Sequence, residues 1–199
     1  MTELIELFLI LAACITVTLW LVFFIRRLSL LLSLRGIRRT EGVYVKFKLL
    51  PAAFLPFTAK KPIATVRVRE KLFDIYLYHG GGRWRYVHIA NDRYSVVYTK
   101  LGGMTPKGIS NSTATNKRVL VNMPTGVGSA KVRLLPEGNG GIGNPLLVFS
   151  PAPAELTYVS EERTSIKVAF TGERIGKWQI FTKETLINYL DRESRGFYD

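Results

Sequence analysis

Residues 4–25, LIELFLILAACITVTLWLVFFI, carry one charged side chain, Glu6, and none from Leu7 to Ile25. In a helix rising about 1.5 Å per residue they reach about 33 Å, enough for a hydrocarbon core about 30 Å thick. The stretch predicts a transmembrane helix, and the rest of the chain is read outward from it. A core helix of a soluble protein is one competitor, but burying every face of so long a helix needs a large surrounding body, and no other long helix follows. A cleaved signal peptide is another, since Leu11-Ala12-Ala13-Cys14 resembles the lipobox before a lipid-modified cysteine. Against it, no Lys or Arg precedes the apolar run, and Ile15 to Ile25 stays apolar beyond the supposed cut.

Charge at the two ends orients the span. Glu3 and Glu6 lie at its start, whereas Arg26, Arg27, Arg35, Arg38 and Arg39 follow it. Positive residues stay cytoplasmic, so the N-terminus is expected outside and the chain after Arg26 in the cytoplasm. Trp20, Phe23 and Phe24 suit an aromatic belt at the inner interface. The next segment, RRLSLLLSLRGIRR at 26–39, reads as an interfacial continuation of the helix, its leucines in the acyl boundary and its arginines on anionic headgroups. A helical stalk packed on the domain is the plainer alternative.

The chain has 28 basic and 15 acidic residues, a net charge of +13. From Lys60 to Arg133 there are 14 basic and three acidic residues, a surplus of +11, while Leu134 to Asp199 has seven basic and nine acidic, or −2. Cys14, the single cysteine, lies inside the span, which excludes an intrachain disulfide framework and a cysteine-rich zinc site. The expected organisation is a tail and span at 1–25, a basic juxtamembrane segment at 26–39 and one soluble domain at 40–199.

Beyond Glu41 the apolar period changes to two. In EGVYVKFKLL, Val43, Val45, Phe47 and Leu49 share one face and Tyr44, Lys46 and Lys48 the other, the pattern of a half-buried strand. Prolines 51, 56 and 62 then mark a loop that could touch the bilayer through Phe54, Leu55 and Phe57. Strands are expected at 63–70, 72–79, 84–90, 94–98, 118–122, 130–135, 145–150, 155–160, 165–170 and 177–181, with polar links at 102–117 and 138–144. Short spacings, among them Gly80-Gly81-Gly82, favour antiparallel neighbours. Thr182 reads as the N-cap of a final helix with Leu186, Ile187 and Leu190 as its apolar stripe. The fold class is therefore mainly β: an N-terminal transmembrane helix, then an antiparallel β-sandwich or open β-barrel closed by a short C-terminal helix.

Alternation puts Lys46 with Lys48, Arg67 with Arg69, Arg83 with Arg85, and Lys131 with Arg133 on shared faces of their strands. Together with Arg26, Arg27, Arg35, Arg38, Arg39 and the ring of Trp84, they are the candidate residues for an anionic surface. That surface is the inner leaflet and its anionic headgroups, with nucleic acid or a protein as alternative partners. A solvated basic face with no partner fits the same composition. Enzyme signals are thin. His79, His88, Asp74 and Asp92 are the candidate acid–base or metal group of a membrane-associated hydrolase, and they match no short metal or hydrolase spacing. The glycine runs lack the Lys-Ser/Thr ending of a phosphate-binding loop, and no cofactor is expected. The functional expectation is a membrane-anchored, non-enzymatic binding module.

Overall fold

The structure is a computed structural model and describes residues 2–38, 42–47, 61–90, 93–100, 127–138, 141–159 and 166–196. Arg39, the loop about Phe54, Asp92, the link at 102–117 and the strand expected at 118–122 lie outside the described residues. Helix α1 (Thr2–Ile37) is continuous over 36 residues. Its apolar part is long enough to cross a membrane, and none of its most apolar window is covered by the rest of the protein. A soluble core helix would be buried there.

Eleven strands follow among the described residues: β1 (Val43–Phe47), β2 (Ala64–Val68), β3 (Lys71–Tyr78), β4 (Gly82–Ile89), β5 (Tyr94–Lys100), β6 (Val127–Leu134), β7 (Asn144–Phe149), β8 (Pro153–Val159), β9 (Ile166–Val168), β10 (Arg174–Ile175) and β11 (Trp178–Thr182). Helix α2 (Lys183–Ser194) closes the domain. The strands form two sheets, β1-β2-β3-β7-β11-β10 and β6-β5-β4-β8-β9, and neither closes into a barrel. The fold is thus mainly β and sandwich-like, as the period-two pattern predicts. Both sheets are mixed, because β7 runs parallel to β3 and to β11, and β8 runs parallel to β4.

Two of the parallel pairs, β3 with β7 and β4 with β8, share one corner. The short Gly80-Gly81 link does not fold β4 back on β3; it carries the chain from the first sheet into the second. Beside it, residues 150–152 carry β7 into β8, with Ser150 N donating to Tyr78 O at 3.1 Å and Gly82 N donating to Ala152 O at 3.1 Å. Two strands therefore turn the corner together. A Cβ at Gly81 would lie 1.8 Å from the Pro151 carbonyl oxygen, and one at Gly80 would lie 2.1 Å from the Tyr78 ring, so both corner positions need glycine. Strands that bend from one sheet into the next are a known way of building sandwich corners.

Three layers result. Tyr76, Leu147, Phe149, Trp178 and Ile180 of the first sheet meet Val87, Val97 and Leu156 of the second. The opposite face of the first sheet, with Val66, Ile75, Val148 and Phe181, is covered by Leu186 and Leu190 of α2 and by Leu30, Leu34 and Ile37 of α1. Those three α1 residues are buried in the domain and not in the acyl boundary where the leucine-rich segment would have put them. A sheet apolar on both faces needs a cover on each, and α2 alone does not supply it. Leu28 and Leu32, on the other side of α1, stay exposed.

Helix α2 begins as its sequence dictates. Thr182 and Thr185 form a reciprocal capping box, Thr185 N donating to Thr182 Oγ1 and Thr182 N donating to Thr185 Oγ1. Lys183 Nζ donates to Ser29 Oγ at 2.7 Å, and ten residues later Glu193 pairs with Lys71 at the start of β3. Both helices thus run antiparallel to β3, from its Tyr78 end to its Lys71 end.

Candidate functional site

The domain has two ends. At the C-terminal end of β3, the His79 ring meets Phe23 of α1 edge-on, with centroids 5.0 Å apart. Phe23 belongs to the apolar stretch, so this end adjoins the free part of α1. At the other end lie Arg35, Arg38 and the β2–β3 turn, where Arg69 N donates to Gly42 O at 3.0 Å. Eight residues of β3 separate the two ends by about 26 Å.

Around Tyr78 and His79 the guanidinium groups gather from three elements. Arg26 and Arg27 of α1 and Arg133 of β6 lie close enough to His79 to oppose its protonation, and Arg133 and Arg85 of β4 act on Tyr78. The placement follows from strand register. Ile89, Ser95 and Arg133 are successive partners across β4, β5 and β6, as are Val87, Val97 and Lys131. Arg133 and Lys131 therefore share the face that looks toward the first sheet, at the edge strand. A buried bond fixes the spot: Tyr78 Oη and Ser95 Oγ are 2.6 Å apart, tying the end of β3 to β5 beside Arg133. Arg27 is 4% exposed, whereas Arg85 and Arg133 are open to solvent.

His79 is held neutral in this setting. Burial is the main cause and the charges of Arg27, Arg26 and Arg133 add to it, so its pKa falls to about 4, offset in part by the nearby Ser150 backbone. Burial together with the Ser95 bond and the two arginines acts on Tyr78 in opposite directions, and burial prevails, raising its pKa.

The other basic candidates lie apart. Arg67 Nε donates to Arg69 O at 3.1 Å, and the Arg69 guanidinium rests against Gly196 beyond α2. Arg35 and Arg38 are exposed at the same far end. Arg83 places its guanidinium 5.2 Å from the Trp84 ring centroid, and Trp84 is 71% exposed in the three residues that follow the corner glycines. Of the residues singled out in the sequence, the fold thus groups Arg26, Arg27, Arg85 and Arg133, sets Lys131 beside them, and separates Arg35, Arg38, Arg67 and Arg69. Tyr78, Ser95 and Phe23 complete the junction. The sequence marks Phe23 only as an interface aromatic and does not mark Tyr78 or Ser95, because their meeting depends on how two sheets and a helix cross.

The acid–base candidates do not converge. His88 is 1% exposed on the opposite face of the second sheet, its Nδ1 3.0 Å from Thr157 Oγ1, and burial lowers its pKa to about 4. Asp74 is buried in the first sheet, where its carboxylate accepts from Thr65 Oγ1 and from Gly143 N, both at 2.6 Å. This is a structural role that pins the loop before β7. Among the described residues no three His, Cys, Asp or Glu side chains form a metal-binding group. Comparison with protein-family models, curated proteins and solved structures finds no match for the chain.

Proposed function

We propose that this chain is a single-pass, membrane-tethered binding module whose β-rich domain sits against an anionic bilayer surface through the arginines at the helix–domain junction. The observation that carries this reading is the gathering of Arg26, Arg27, Arg85 and Arg133 where α1 emerges from its exposed apolar length. Charged groups within about a Debye length of headgroups, about 10 Å at 0.1 M salt, are attracted by about 1 kcal/mol each. Phe23 packs on His79, so the corner of the domain is held at the depth where the span ends. The scattering of His79, His88 and Asp74 supports a binding role over a hydrolase.

The test uses the full chain in bilayers with a trace of spin-labelled phosphatidylglycerol or phosphatidylcholine. The fraction of motionally restricted label is expected to be higher for phosphatidylglycerol and to fall toward the phosphatidylcholine value as salt rises. Replacing Arg26, Arg85 and Arg133 together with Gln should remove most of the preference. Equal restriction of both labels at low salt would sink the reading. In the same proposal the domain is cytoplasmic and the N-terminus outside, from the arginine excess after the span.

A further inference from the structure

Helix α1 gives one side to the domain and leaves the other bare. Leu30, Leu34 and Ile37 are buried in the core, and Phe23, on the same side, packs on His79. Leu28 and Leu32 each precede a buried leucine by two residues, which at about 100° per residue sets them on the opposite side. They are 40% and 55% exposed. Followed back toward the N-terminus in steps of four and three, the bare face runs Leu32, Leu28, Ile25, Leu21, Thr18 and Cys14, all of them exposed. The Thr18 hydroxyl is satisfied within the helix, donating to Cys14 O at 2.7 Å. Inside the span every face is apolar, so the two leucines beyond Ile25 are what single this one out. A bilayer does not cover both. Leu32, seven residues past Ile25, lies about 10 Å beyond the hydrocarbon along the axis, and the headgroup layer is about 5–7 Å thick on each side. Nor does α1 bend to lay them on the surface, because it is continuous to Ile37 and its other side is held by the first sheet.

We infer that this face of α1 is the contact surface for a second copy of the chain, giving a parallel homodimer whose helices meet along a seam from Cys14 to Leu32. The inference goes beyond lipid contact and rests on the reading of α1 as a membrane span. A single span fixes how two copies meet: both cross in the same sense, so their helices approach parallel, and each residue faces its own counterpart across a two-fold axis. Alternating steps of three and four give the 3.5-residue period that two parallel helices bury between them. The domains leave the seam open, since each packs on the far side of its own helix. Arg35 takes the next seam position and is exposed. Two guanidiniums facing each other there repel, so the seam ends at Leu32.

Cys14, the single cysteine, lies in the seam and serves as the reporter. The full chain is placed in bilayers at high lipid excess, oxidised with copper phenanthroline, and the disulfide-linked dimer is measured on a non-reducing gel. Cys14 is expected to cross-link, as are Leu21→Cys and Leu28→Cys in chains that also carry Cys14→Ser. Ala12→Cys and Thr16→Cys, on the domain side of the helix and again with Cys14→Ser, should give little product. Leu28→Lys together with Leu32→Lys sets like charges across the seam and should cut the Cys14 product about tenfold. Both leucines are exposed, so an unchanged thermal melt shows that this variant has folded. Equal yields at every position, or higher yields at Ala12→Cys and Thr16→Cys, overturn the seam. If the chain resists alkaline carbonate extraction and no position cross-links, the span stands and the dimer is overturned. If carbonate strips the chain from the membrane, the span reading falls and the inference falls with it.

Discussion

Asp74 shows how a residue that reads as chemistry serves as structure. Its two carboxylate oxygens take the Thr65 hydroxyl and the Gly143 N–H, and Gly141 passes so close that a Cβ there would lie 1.9 Å from Oδ2. Asp74→Ala leaves a buried N–H without its acceptor and is expected to cost about 1–3 kcal/mol in a denaturant titration. No loss would show the loop to be held by other contacts. His88 makes a second prediction, about pH. Its folded pKa of about 4 lies below the 6.5 of a free imidazole. Between these values the unfolded chain binds a proton that the folded chain refuses, so stability falls as pH falls from 6.5 and levels off below about 4. His79 adds a loss of the same sign over the same window. His88→Asn, which keeps a polar atom near the Nδ1 position for Thr157, should flatten part of this acid loss; an unchanged pH profile would rule out His88 as a source.

At the scale of elements, α1 has two lives. Residues 4–19 are exposed and Trp20, Phe23 and Phe24 only partly covered, whereas Leu30, Leu34 and Ile37 lie in the core with α2 and the first sheet. Leu34→Ala should therefore destabilise the domain by about 2–5 kcal/mol, while Leu32→Ala, two residues away and exposed, should be close to neutral. Similar costs for both would mean that α1 does not pack as described. By the same logic a chain begun at Arg26 keeps its core, and one begun at Thr40 loses a wall of it; circular dichroism melting of the two fragments should separate them clearly. The corner supplies a contrast of glycines. Gly81→Ala drives a methyl group into the Pro151 carbonyl and should unfold or severely weaken the protein. Gly36→Ala, in α1 with nothing within 4 Å, should be neutral or stabilising by up to about 1 kcal/mol.

For the molecule as a whole, the arrangement of the ends sets which charges act together. Arg67 and Arg69 are about one β3 length, about 26 Å, from the junction where the span ends. In the proposed bilayer-bound arrangement they lie at the end of the domain away from the headgroups. Replacing Arg67 and Arg69 with Ser should leave phosphatidylglycerol preference within about twofold of the parent, and a loss as large as that of the junction variant would reverse the proposed orientation of the domain. The side of the membrane is tested separately. A reporter that fluoresces only in the cytoplasm, fused after Asp199, should be bright; a dark fusion with a partner enzyme active only outside the cytoplasm would turn the topology over.

The apolar run at 4–25, the period-two strands and the Thr182 cap were legible because each is local: a run of side chains, an alternation or a single hydrogen-bonding group settles it. Glycine at 80–82 was equally visible, but a tight link reads the same whether it folds a strand back or turns it into a second sheet. Only the crowding of Gly81 against Pro151, 70 residues away in sequence, decides between them. The basic pairs likewise announce charge without place. Alternation assigns Arg133 to a face of its own strand, yet its acting on His79 along with Arg26 depends on the edge of one sheet crossing the end of another beside α1. Composition and period thus determined which elements form and that the chain carries an apolar helix and a basic domain. The tertiary structure decided which arginines stand together, because that is fixed by contacts between residues far apart in sequence.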